Sequence, residues 1–125
     1  MARILVIDDD EPLLTALEQL LAAAGHAVVT VSDGAKAAKL FRREPFELII
    51  TDIFMPNREG LETIIMLRRE FPELGVIAMS GGATMSKTYL DMATRLGARC
   101  TLLKPFTPQQ LNAAIDAVTT TNRPQ

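Results

Sequence analysis

Glu47-Leu48-Ile49-Ile50-Thr51-Asp52, followed directly by Ile53-Phe54-Met55-Pro56, decides the fold. Leu48, Ile49 and Ile50 are three consecutive large apolar residues, two of them β-branched, and such a run suits a strand covered on both faces. Strands of that kind belong to the middle of a parallel sheet. The run ends on a carboxylate, Asp52, where a buried strand opens into a loop. A charge at that point is either solvated at the rim or used for chemistry.

Upstream, Ile4-Leu5-Val6-Ile7 is a second continuous apolar run, and it ends in Asp8-Asp9-Asp10. Behind it Leu13, Leu17, Leu20 and Ala24 recur at helical spacing, Leu14 and Leu21 widen the stripe, and Gly25 supplies a stop. Asp10 is placed to cap this helix, with Pro12 tolerated in the first turn. Residues 27–31 read as a more exposed strand at the sheet edge. Ser32-Asp33-Gly34 then caps a helix running to about Glu44, ahead of Pro45, with Ala37, Ala38 and Phe41 on its inner face.

Downstream of Asp52 the sequence predicts a loop through Pro56-Asn57 and Gly60, then a third helix opened by Leu61, Ile64 and Ile65 and ending near Phe71-Pro72. Val76-Ile77-Ala78-Met79 is another apolar run, ending in Ser80-Gly81-Gly82. A fourth helix is predicted over residues 84–96, with Met85, Tyr89, Met92 and Leu96 inward. Thr101-Leu102-Leu103 forms the last strand and runs into Lys104-Pro105-Phe106. Thr107 as N-cap, Pro108 at the first helical position, and Leu111, Ala114, Ile115 and Val118 signal the final helix. From Thr119 the chain turns polar and is expected to fray.

Strands and helices in strict alternation, joined by short loops, predict an α/β fold. Its architecture is a doubly wound parallel sheet of five strands with five helices; if the order is 2-1-3-4-5, a flavodoxin-like arrangement, the first and third strands are neighbours. One domain is expected over residues 1–119, with 120–125 a polar tail or the start of a linker. At 125 residues, 48% apolar and 22% charged, the chain can bury a core without metal or disulfide staples. The net charge of -2 gives no electrostatic reason for direct nucleic acid or membrane binding. The lone Cys100 excludes an internal disulfide and reads as a small buried hydrophobe. The apolar stretch after Arg3 is too short for a signal peptide or a membrane span, so a cytoplasmic protein is expected. The single His26 reads as a surface residue.

In a parallel sheet all strand ends of one kind lie on one edge. Asp8 and Asp9 end the first strand, Asp52 the third, Ser80 the fourth and Lys104 the fifth. If the first and third strands are neighbours, their carboxylates face each other, and such a group must take up a proton or bind a cation. Hard oxygen donors that leave room for water suit Mg²⁺. A carboxylate beside that ion can attack phosphorus, while a lysine and a serine hydroxyl can contact phosphoryl oxygens. The set describes phosphoryl transfer onto Asp52.

From Ile4 to about Val118 the sequence resembles the receiver domain of two-component response regulators. The matching pieces are Asp8-Asp9 after an apolar strand, Asp52-Ile53-Phe54-Met55-Pro56 with Gly60, Ser80 after Met79, and Lys104-Pro105-Phe106. The resemblance implies that Asp52 accepts a phosphoryl group from the phosphohistidine of a sensor histidine kinase or phosphotransfer protein. It implies Mg²⁺ held by Asp9, Asp52 and the backbone carbonyl of Phe54, and by Asp8 through water. Lys104 would contact the phosphoryl group from a cis bond to Pro105. Ser80 would shift on phosphorylation and alter the surface of the fourth helix, last strand and fifth helix, which a downstream output domain or target protein reads. Such a module is a signalling domain rather than an enzyme.

Two departures from the family pattern stand out. Thr101 occupies the switch position where an aromatic is usual, and Tyr89 on the neighbouring predicted helix offers a partial substitute. Phe54 and Gly82 flank the expected phosphoryl position without a group to orient water, which predicts slow self-dephosphorylation. Two other functions share parts of the pattern. A constitutive adaptor receiver, phosphorylated incidentally, is compatible with Thr101. A haloacid-dehalogenase-type phosphatase would use Asp8 and Asp10 after the first strand, but it leaves Asp52 without a role.

Overall fold

The architecture was taken from a computed structural model, which describes residues 2–53, 58–81, 93–95 and 97–122, with the backbone alone for residues 58–61 and 120–122. The described elements run β1 (Arg3–Ile7), α1 (Glu11–Ala23), β2 (Ala27–Val31), α2 (Gly34–Arg43), β3 (Leu48–Asp52), α3 (Arg58–Glu70), β4 (Gly75–Gly81), β5 (Cys100–Lys104) and α4 (Pro108–Asn122). All strand pairs are parallel and the order is β2-β1-β3-β4-β5, as the sequence predicts. The predicted fourth helix lies mostly outside the described residues, which retain helical residues 93–95 from it.

β3 is central and every one of its residues is buried. Leu48 and Ile50 pack with Ile4, Val6, Leu17, Leu21, Leu111 and Ile115, the layer under α1 and α4. Ile49 points the other way, into a cluster with Leu5, Ile7, Phe41, Ile64 and Leu67 under α2 and α3. Alternate side chains of one strand thus feed two cores, which is why the run is apolar throughout rather than alternating.

Local signals explain most helix boundaries. Asp10 Oδ1 accepts from Leu13 N at 3.2 Å and Asp33 Oδ1 from Lys36 N at 2.9 Å, so both predicted N-caps form. α4 begins with a reciprocal pair: Gln110 N donates to Thr107 Oγ1 at 3.1 Å while Thr107 N donates to Gln110 Oε1 at 2.8 Å. Arg42 and Arg43 end α2, and Arg68 and Arg69 end α3, where cations favour the helix dipole.

Several expectations need correction. In α1 the buried residues are Leu14, Leu17 and Leu21, while Leu20 is exposed and Leu13 only half-buried, so the stripe is rotated from the one expected. A leucine-rich helix offers more than one apolar face, and the sheet selects among them. Gly60 lies inside α3, which starts at Arg58, because one glycine near a helix start costs only about 1 kcal/mol against alanine. α4 continues through the polar residues to Asn122 instead of fraying from Thr119, whose hydroxyl donates to Ile115 O at 2.8 Å. Cys100 is half-buried rather than enclosed. His26 is half-buried too, and its Nδ1 accepts from Ala2 N at 3.0 Å.

Candidate functional site

The order of the strands brings β1 beside β3, and the carboxyl edge collects the charges. Asp8, Asp9 and Asp52 each offer a carboxylate oxygen, all within 4.8 Å of one another. Asp8 is fully buried and Asp52 nearly so, whereas Asp9 is exposed. Lys104 reaches in from the end of β5. Its Nζ donates to Asp8 Oδ2 at 2.7 Å and lies 3.6 Å from Asp52 Oδ2. Asp8 is held on its other oxygen as well, where Oδ1 accepts from Asp10 N at 2.9 Å.

Among the described residues one ammonium, that of Lys104, meets the three carboxylates, contacting Asp8 and Asp52, so negative charge is in excess where these two are buried. Burial by itself would lower the pKa of Lys104, but the hydrogen bond to Asp8 and the charges of Asp52 and Asp8 outweigh it. The net effect holds Lys104 above its ordinary 10.5. Hard anionic oxygens with uncompensated charge fit a divalent cation such as Mg²⁺ as donors. Phe54, whose carbonyl the resemblance adds to that set, lies outside the described residues, as do Gly82 and Tyr89.

Ser80 is buried at the end of β4, one residue beyond the Asp52–Met79 register pair and opposite Leu103 of β5. The Lys104–Pro105 peptide is cis. Thr101 is not brought to the cluster. It is exposed on β5, opposite Ala78. Asp10 spends its side chain on the α1 cap and offers the cluster its backbone amide, so the Asp8-Asp10 pair needed for a dehalogenase-type phosphatase is not assembled. Sequence reasoning did not single out Thr51, a fully buried hydroxyl next to Asp52. A lone polar residue closing an apolar strand was the available signal.

The family profile described as response regulator receiver domain matches residues 4–116. The chain belongs to the receiver domain family of response regulators. This receiver domain is 32% identical over 116 residues to the alkaline phosphatase synthesis transcriptional regulatory protein PhoP of Bacillus subtilis, covering 93% of the chain and 48% of that protein. It is 36% identical over 123 residues to the DNA-binding transcriptional regulator NtrC of Azospirillum brasilense, covering 98% of the chain and 25% of NtrC. The receiver thus spans less than half the length of these curated relatives.

Among solved structures, a response regulator receiver domain protein from Clostridium thermocellum aligns with a TM-score of 0.84 at 29% identity, over 97% of this chain and 96% of that one. A CheY-like receiver domain protein from Methanospirillum hungatei aligns with a TM-score of 0.88 at 25% identity, over 98% and 96%. The receiver is therefore a signalling module of two-component systems. None of the helices among its described residues is long and apolar enough to cross a membrane.

Proposed function

We propose that this receiver takes a phosphoryl group onto the carboxylate of Asp52 from the phosphohistidine of a sensor histidine kinase or phosphotransfer protein. The observation that supports this reading is the convergence of Asp8, Asp9 and Asp52 with Lys104 at the ends of β1, β3 and β5. An oxygen of Asp52 attacks phosphorus, the P–N bond of the donor breaks, and the imidazole leaves with the electron pair and then takes a proton. Lys104, 2.7 Å from Asp8 and 3.6 Å from Asp52, is within reach of a phosphoryl oxygen carried by Asp52. Ser80 donates its hydroxyl to the same phosphoryl group.

Asp9 and Asp52 would hold Mg²⁺ directly, with the Phe54 carbonyl, and Asp8 would reach it through water. Bound there, the ion offsets negative charge on the phosphoryl oxygens. Phosphorylation at Asp52 then changes the surface around β5 and α4 that an output domain or target protein reads, and the place of action is the cytoplasm. The relatives being transcriptional regulators supports a gene-regulatory output. Phe54 and Gly82 make the phosphorylated form long-lived.

The test is to incubate the chain with Mg²⁺ and a small acyl phosphate and to locate the label by mass spectrometry. Label on Asp52, lost in Asp52→Asn and on chelation of the metal, is the expected result. Label on Asp8, or labelling that survives Asp52→Asn, overturns the reading.

A further inference from the structure

Four polar or charged residues are buried among the described ones: Asp8, Thr51, Asp52 and Ser80. Three belong to the cluster of strand ends. Thr51 has so far no part in it, although it precedes Asp52 directly and is completely enclosed. In register it sits between Ile7 of β1 and Ala78 of β4, both buried and apolar. A valine would occupy nearly the same volume there without a polar atom to satisfy, so the hydroxyl costs stability unless it makes a hydrogen bond.

It makes one. Thr51 Oγ1 donates to the main-chain oxygen of Asp52 at 3.2 Å. The other edge of the same peptide plane is held as well, because Ile53 N donates to Met79 O of β4 at 2.9 Å. The Asp52–Ile53 peptide is thus gripped at its carbonyl by Thr51 and at its amide by β4. Rotation of that plane is a soft backbone motion that changes ψ of Asp52, and with it the rotamers open to the Asp52 side chain, and that redirects the chain leaving β3.

We infer that Thr51 is a positioning residue for phosphoryl transfer, its hydroxyl clamping the peptide that leaves Asp52 and so fixing the carboxylate against Asp8, Asp9 and Lys104. The physical basis is preorganisation: reacting groups must be held to within a fraction of an ångström, and a misplacement of about 1 Å can cost on the order of 100-fold in rate. The hydroxyl touches neither the phosphoryl group nor the metal. It acts through the backbone of Asp52.

This inference rests on Asp52 as the phosphoacceptor, and the experiment separates the two. Parent, Thr51→Val and Thr51→Ser chains are compared in two ways: the initial rate of Asp52 labelling by a small acyl phosphate with Mg²⁺, and the hydrogen exchange of the Ile53 amide by NMR. Thr51→Val is expected to label about tenfold more slowly and to lose protection at Ile53, while Thr51→Ser, which keeps the hydroxyl, stays within about twofold of the parent in both. Should the valine chain fail to fold, Thr51→Ala replaces it.

Labelling of Thr51→Val within about twofold of the parent overturns the inference, and so does a serine variant as slow as the valine one. If the parent takes no label on Asp52, the phosphoacceptor reading falls. The clamp is then judged by exchange alone, and unchanged Ile53 protection in Thr51→Val overturns it.

Discussion

β3 and β5 deliver the two opposite charges that meet at the carboxyl edge, Asp52 and Lys104, but they are built in contrary ways. β3 is buried from Leu48 to Asp52, with a strand on each side and a core on each face. β5 is an edge strand that buries Leu102 and leaves Thr101 and Leu103 exposed. The position of Asp52 is therefore over-determined by packing, whereas Lys104 ends an edge strand that has β4 on one side and α4 against one face. Under the proposed function both properties have a use: the phosphoacceptor has to be held fixed, and the surface that an output partner reads has to respond.

The contrast is most easily broken by stability measurements. Ile50→Ala removes a fully buried side chain from β3 and is expected to cost about 3–4 kcal/mol in urea unfolding, whereas Leu103→Ala on β5 should stay within about 0.5 kcal/mol. Similar losses in the two variants would mean that β5 is as tightly packed as β3, and the contrast would fail.

Lys104→Met sharpens the electrostatic half of the argument. It leaves Asp8, whose side chain is 1% exposed, without its ammonium partner, and should cost about 3 kcal/mol, a value near the lower end for broken buried pairs because Lys104 itself is 24% exposed. Mg²⁺ should raise the melting temperature of this variant more than that of the parent, since the ion would supply the missing positive charge. An equal metal response in both chains would show that Lys104 and the cation do not share the carboxylates.

A smaller effect follows from pH. The pKa of Lys104 lies above its ordinary 10.5 in the folded chain, so its pairing energy is fully present below that value and is lost as pH rises through the higher folded one. Unfolding free energy compared at about pH 9 and about pH 11.5 should fall more in the parent than in Lys104→Met. Parallel losses in the two would remove Lys104 as the source. The smallest effect belongs to Thr101→Val, expected to change stability by less than about 0.5 kcal/mol. A larger loss would show that Thr101 is engaged on β5 and not merely exposed.

Strand identities and the strand-end charges were legible because each rests on a short contiguous run, apolar residues and then Asp8-Asp9, Asp52, Ser80 or Lys104, whereas the order 2-1-3-4-5 entered as a condition that the strand pairing then met. N-caps at Asp10, Asp33 and Thr107 were legible for the same reason, since a cap and the amide it satisfies lie three residues apart. Less legible was the choice among several leucines in α1. Leu13, Leu14, Leu17, Leu20 and Leu21 satisfy more than one helical stripe, and only contact with the sheet selects Leu14, Leu17 and Leu21. His26 likewise reads as isolated until folding puts Ala2 beside it.

By itself the sequence determined which residues end the buried strands, because burial on two faces demands uninterrupted apolar runs and a polar residue must mark where they stop. Tertiary structure alone decided how those ends share their charges. Lys104 lies 96 residues from Asp8 along the chain yet binds it more closely than it does Asp52, and Asp8 takes its second bond from the Asp10 amide. The clamp of Thr51 and Met79 on the Asp52–Ile53 peptide arises in the same way. Such pairings depend on ångström distances across neighbouring strands, and spacing along a chain does not encode them.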